Sequence, residues 1–264
     1  MQTALVDWRG HGRWTYADRQ RTCDIASVWQ SHTKNPLPNA GKTLVAFSAL
    51  LYSSGIEGVY AEPWNTLPVI KQSNGDTPRV WDSGNGPYTV AVDLARLGTD
   101  RTRRGSTSIW AGQVANRYPW ADGLHLDYYT DLAWLWPDLD YDWSRYLQGL
   151  RMLIGAIKAV RPDWTIIGQN FHFPGGEPGQ IDGLFLEVNP TMFGKTMADH
   201  SKLLAAHRDI RKLSGLEPTT WICELREPSR YSEWYRQEVA AWCEWEGIAL
   251  AWGRDASALV GVPG

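Results

Sequence analysis

Short apolar runs rich in β-branched residues alternate along the chain with amphipathic stretches long enough to be helices. The runs fall at 3–8, 43–51, 88–93, 123–128, 165–170, 183–188, 220–225 and 247–252. Helical periodicity occupies 18–32, 105–117, 143–160, 197–214 and 231–245. Gly215 supplies a stop for the helix over 197–214, and Asp140 or Asp142 a cap for the one over 143–160. Eight strands, most followed by a helix, predict an α/β protein whose parallel sheet closes into a (β/α)8 TIM barrel. An open doubly wound sheet is the alternative. It would carry GxGxxG after the first strand, and this chain has none there. No linker divides the chain, so 1–264 reads as one domain. The polar, Gly/Pro-rich segment 53–87 follows the second predicted strand. It is too long for a bare connection and reads as a loop over the active face.

Two of the runs match each other. Asp122-Gly123-Leu124-His125-Leu126-Asp127 and Asp182-Gly183-Leu184-Phe185-Leu186-Glu187 share the pattern D-G-L-x-L-[D/E]. Alternation puts Leu124 and Leu126 on one face of their strand, with Gly123, His125 and Asp127 on the other. Leu184 and Leu186 oppose Gly183, Phe185 and Glu187 in the same way. If the leucines pack on the outer helices, Asp127 and Glu187 point into the barrel at its C-terminal mouth. Both runs have the same strand parity, and alternate strands supply one layer, so the two acids are expected at one height. Crowded carboxyl groups push their pKa values apart, leaving one ionised and one able to hold a proton. Glycoside hydrolysis needs that division of labour. The bland alternative is a pair of structural ion pairs with arginine.

Other strand ends add polar and aromatic groups: Asp7 and Trp8, Asp93, Asn170, Glu224 and Arg226, and Trp252. Tyr128, Tyr129, Trp134, Trp136 and Trp143 crowd the stretch after the fourth predicted strand. Sixteen Trp in the chain make aromatic platforms for sugar faces a natural reading. Asp7, Trp8, Asp93, Tyr128, Trp134, Asn170, Glu224, Arg226 and Trp252 are therefore the candidate substrate contacts. His125, two residues below Asp127, reads as a core or hydrogen-bonding group.

Composition narrows the chemistry further. Against 29 Asp+Glu stand 26 Lys+Arg, a formal charge of −3, which does not suit a nucleic-acid partner. No apolar run approaches the roughly 20 residues of a membrane span, and Met1-Gln2-Thr3-Ala4 is no signal peptide. The six His are scattered without HxH or HExxH, so no metal and no cofactor is expected. Cys23, Cys223 and Cys243 read as free thiols, with a Cys223–Cys243 bridge as the alternative.

The D-G-L-x-L-D-Y segment ending the fourth predicted strand and the D-G-L-x-L-E segment ending the sixth resemble glycoside hydrolases related to the endo-α-1,4-polygalactosaminidase clan. The resemblance covers about 80–195, including the polar extended stretch 81–93 before the strand-four acid. It implies a TIM barrel with Asp127 as nucleophile or stabilising carboxylate and Glu187 as general acid/base. The Trp-rich insert 129–143 and the loop 171–176 have no counterpart in that pattern, which leaves the sugar open. Sequences of this type also occur as modules of bacteriophage tail proteins, so a place in a larger phage or secreted assembly is an expectation of the resemblance.

The expected activity is thus hydrolysis of an oligosaccharide or polysaccharide, with retention if the two carboxyl groups stand about 5–5.5 Å apart. A carbohydrate-binding barrel without turnover is the rival from another class. An isomerase or lyase using Glu187 or Glu224 as base is a third. Its phosphate cradle would have to come from Gly253-Arg254-Asp255, a poor match.

Overall fold

The computed structural model describes residues 3–7, 26–30, 41–48, 51–53, 89–91, 104–127, 143–169, 181–188, 196–215, 222–225 and 231–252. The strands in them are β1 (Thr3–Asp7), β2 (Ala26–Gln30), β3 (Lys42–Ser48), β4 (Leu51–Ser53), β5 (Thr89–Ala91), β6 (Gly123–Asp127), β7 (Thr165–Gln169), β8 (Gly183–Val188), β9 (Ile222–Leu225) and β10 (Ala249–Trp252). The helices are α1 (Arg104–Arg117), α2 (Trp143–Val160), α3 (Met197–Leu213) and α4 (Glu233–Glu246). Parallel pairing runs β1-β2-β3-β6-β7-β8-β9-β10, and β10 pairs back onto β1. The sheet is a closed eight-stranded barrel, as the alternation of runs predicts.

Two strand assignments differ from the sequence reading. The helix expected over 18–32 does not form across Ala26–Gln30, which is β2. Val28 and Trp29 suit extended backbone, and β2 is paired on both edges, by β1 and by β3. Ladder bonds on both sides override a weak local helical period. The run at 88–93 does form a strand, β5, but it pairs antiparallel with β4 outside the barrel. With β2 in place the barrel has its eight strands, and β3 pairs directly with β6. The segment 53–87 therefore follows the third barrel strand, not the second. The β4–β5 pair brings its two ends together, and 54–88 lies outside the described residues.

The packing follows the strand alternation. Leu124, Leu126, Ile166, Leu184, Leu186 and Leu250 are fully buried against Trp110, Val114, Leu153, Ile157, Val239 and Cys243 of the helices. The alternate residues Leu44, Ala46, Ile167, Phe185, Ala249 and Ala251 are also buried, but they fill the barrel interior instead of joining that outer cluster.

The first two residues of the repeated motif set the strand register. The Asp122 amide donates to the Thr43 carbonyl at 2.7 Å, and the Thr43 amide donates back to Asp122 Oδ2 at 2.8 Å. Asp182 does the same to Ile166, at 2.7 Å and 2.8 Å. Thr43 and Ile166 are each the second residue of the preceding barrel strand. Each aspartate thus closes a two-bond bracket where its strand begins. Lys158 of α2 adds its ammonium to Asp182 Oδ2 at 2.5 Å. The glycine has its own reason: a Cβ on Gly123 would fall 1.9 Å from the Thr165 carbonyl oxygen.

Helix ends are built by short local signals. Thr196 and Asp199 bracket the start of α3: Asp199 Oδ2 accepts from the Thr196 amide at 3.0 Å and from its hydroxyl at 2.8 Å. These donors hold the Asp199 carboxyl below its ordinary pKa. Gly215, with φ of 68°, ends the turn that follows α3. Ser232 caps α4, and Gly247 closes it in the left-handed conformation.

Gly123→Ala forces backbone apart at the foot of β6 and β7, so we expect a loss of about 3 kcal/mol in urea unfolding. Asp182→Ala strands the Ile166 amide and removes the carboxylate partner of Lys158, which keeps its bond to the Trp164 carbonyl; the expected loss is about 2 kcal/mol. Asp122→Ala, which strands the Thr43 amide, is expected to cost about 1 kcal/mol.

Candidate active site

The two matched strands meet inside the barrel. The His125 and Phe185 rings stand edge to face, with centroids 4.5 Å apart. Both occupy the variable x position of D-G-L-x-L-[D/E]. By ladder register His125 aligns with Ile167, and Ile167 with Gly183, so Phe185 lies two residues farther along its strand than the register of His125. This is the stagger that tilted strands take in a closed barrel. Two residues farther along come Asp127, the last residue of β6, and Glu187 in β8. Asp127 pairs in register with Ser48, and Glu187 with Glu224 of β9.

Glu187 is 3% exposed. Gln169, at the end of β7, donates from Nε2 to Glu187 Oε2 at 2.9 Å. Burial favours the neutral carboxyl, whereas a donated N–H favours the carboxylate. The backbone of Glu187 is held from outside the barrel. His200 Nε2 donates to the Glu187 carbonyl oxygen at 3.2 Å. His200 belongs to a buried stripe of α3, with Leu204, His207 and Arg211. The spacing i, i+4, i+7, i+11 is that of one helix face. Arg211 donates to the Ile181 carbonyl at 2.8 Å, so two polar residues of this stripe hold the ends of the β8 segment.

Gln169 and His200 are missed by the sequence reading, which takes Asn170 as the strand-end group. The signals were present. Gln169 shares the alternation of Thr165 and Ile167, and His200 lies on the core-facing stripe of its helix. Asn170, with Trp8, Asp93, Tyr128, Trp134 and Arg226, lies outside the described residues. Asp7, Glu224 and Trp252 lie within strands β1, β9 and β10. Asp7 pairs in register with Trp29, Glu224 with Ala251, and Trp252 with Leu5 and Leu225. Cys243 is a buried free thiol, so the Cys223–Cys243 bridge does not form. Among the described residues no cluster of His, Cys, Asp and Glu could hold a metal ion. No helix among them is long and apolar enough to cross a membrane.

His125 is fully buried, and that burial lowers its pKa from 6.5 to about 3. The imidazole is therefore neutral in the folded chain, whereas the unfolded chain takes up a proton below about pH 6.5. Stability is lost as pH falls through this window, at up to ~1.4 kcal/mol per pH unit from this one group. In His125→Leu that component is absent. Its urea midpoint is expected to change less between pH 6.5 and pH 4 than that of the parent.

Solved structures share this architecture. The glycoside hydrolase domain of PelA from Pseudomonas aeruginosa is similar, with a TM-score of 0.55 at 12% identity over 95% of this chain and 93% of that one. A variant of that domain gives 0.56 at 13% identity, covering 95% and 94%. A GH18 chitinase from Pseudoalteromonas aurantia gives 0.50 at 15% identity, covering 97% and 95%. No protein-family model matches the sequence, and no curated protein does either. At such identities the likeness concerns the fold: this chain has the TIM-barrel architecture found in glycoside hydrolase domains.

Proposed function

We propose that the chain is a glycoside hydrolase that cleaves a polysaccharide with two carboxyl groups, Asp127 and Glu187. The observation that carries this reading is the contact between His125 and Phe185, at 4.5 Å. Two strands that bear the same motif turn the same motif position toward one another, and strand alternation supports an inward place for the acid two residues farther along each. The glycoside hydrolase names of the solved structures with this fold support the same class.

In the proposed reaction the Glu187 carboxyl gives its proton to the leaving oxygen as the glycosidic bond breaks. Asp127 forms the bond to the anomeric carbon. Glu187, now a carboxylate, takes a proton from the water that displaces Asp127, so configuration is retained. Asp7, Trp8, Asp93, Tyr128, Trp134, Asn170, Glu224, Arg226 and Trp252 are proposed to line the path of the sugar chain. Sugar rings stack on the indoles while the charged and amide groups take their hydroxyls.

The burial of Glu187 favours a second reading, a barrel that binds sugar without cleaving it. One experiment separates the two. The purified chain is screened against amino-sugar and neutral polysaccharides for new reducing ends. Turnover is expected for the parent. Asp127→Asn and Glu187→Gln are each expected to lower it by about a hundredfold to ten-thousandfold, with circular dichroism unchanged. Binding without new reducing ends selects the second reading. Full activity in both variants overturns the assignment of the acids. NMR of the first-formed anomer reads the stereochemistry. Retention goes with carboxyl groups about 5–5.5 Å apart, inversion with about 6.5–9.5 Å.

A further inference from the structure

The side chain of Gln169 is 97% buried at the same strand ends, and nothing in the reaction above uses it. Its amide is only half occupied. Nε2 donates to Glu187 Oε2 at 2.9 Å, while Oε1 is buried and accepts no hydrogen bond among the described residues. An amide buried with an empty acceptor is costly, and such a group in a folded protein calls for an explanation. Here the geometry suggests one. With Nε2 toward Glu187 the amide matches a carboxylate. A half-turn of the amide brings Oε1 to the same place, where it matches a protonated carboxyl by accepting its O–H.

We propose that Gln169 is the positioning residue of Glu187, serving it in both proton states: its N–H holds the carboxylate, and its carbonyl accepts from the acid after the amide turns. This deepens the hydrolase reading and rests on it. In that reaction Glu187 alternates between acid and base. A partner that presents a donor or an acceptor from one place keeps the carboxyl aimed in both steps. The charge-assisted bond is the stronger of the two, so the net effect of Gln169 is to favour the carboxylate.

Among the described residues, Glu224 of β9 pairs in register with Glu187, His200 of α3 meets it, and His125 of β6 meets Phe185, two residues before it on β8. His125 stays neutral above about pH 3. His200 meets the backbone carbonyl of Glu187. Glu224 shares the register position of Glu187 on the neighbouring strand.

The test is Gln169→Leu, which keeps bulk and removes both halves of the amide. Two readouts are taken. One is the 13C titration of the Glu187 carboxyl, assigned by its loss in Glu187→Gln. The other is the pH dependence of kcat/KM. Without the donated N–H the titration midpoint of Glu187 is expected to rise by about one unit. The basic limb of kcat/KM, which reports the free enzyme's general acid, is expected to move up with it. Gln169→Glu is the second variant. It is expected to split the titration into two steps shared by a carboxyl pair. Should Gln169→Leu unfold, this splitting carries the test.

A midpoint and a basic limb that stay in place in Gln169→Leu, with activity lowered equally at every pH, overturn the proposal and leave Gln169 a packing residue. For Gln169→Glu the overturning result is a Glu187 carboxyl that still titrates in a single step at the parent midpoint. A midpoint that moves in a protein without turnover on any polysaccharide upholds the hold of the amide on Glu187. It then defeats the hydrolase reading alone.

Discussion

Strand register is the constraint from which the rest of this molecule follows. In a closed parallel barrel, a slip of one residue between neighbours exchanges the interior and exterior faces of a strand. The brackets made by Asp122 on Thr43 and by Asp182 on Ile166 oppose such a slip at the point where β6 and β8 enter the sheet. Each bracket satisfies a strand-end amide that the ladder would otherwise leave open. Gly123 lets the Thr165 carbonyl come close enough for the next strand to join. Once those starts are set, alternation delivers the leucines to the helices and His125, Phe185 and Glu187 to the inside.

That logic explains what could be read from the sequence. The pattern D-G-L-x-L-[D/E] is visible as a repeat, and its leucines are visibly the outward residues. The purpose of its first aspartate is not, because a bond to the backbone of the preceding strand leaves no trace in local pattern. Strand β2 is hidden for a related reason: Ala26–Gln30 is short, and what makes it extended is pairing on both sides. The run at β5 is legible as a strand, but its partner is not, since hydrophobic alternation says nothing about direction of pairing. At the site, Glu187 is legible from the motif. Gln169 is passed over because a strand-end reading takes the last polar residue of the run, Asn170, although Gln169 shares the alternation of Thr165 and Ile167.

Glu187 is also tied to the outer layer. His200 joins its carbonyl to α3, and the His200 ring lies 6.2 Å from that of Trp242 on α4. Trp242 donates to the Ser201 hydroxyl at 2.8 Å, which donates to Glu246 at 2.7 Å, where Arg208 completes the cluster at 2.9 Å. The acid's backbone is thereby fixed by a polar seam between two helices, in addition to its own ladder. Preorganisation of that kind would serve the proton transfer proposed for Glu187.

The antiparallel pairing of Leu51–Ser53 with Thr89–Ala91 has a consequence for how such a barrel diversifies. The pair acts as a clasp, so the stretch beyond it begins and ends at one place on the rim. Lengthening a loop whose ends are already joined adds little entropy cost, about 0.6 kcal/mol per doubling. Insertions and exchanges there leave the staves undisturbed. The clasp thus confines the effect of a longer or shorter loop to one place on the rim, with the barrel strands on either side held by their own ladder.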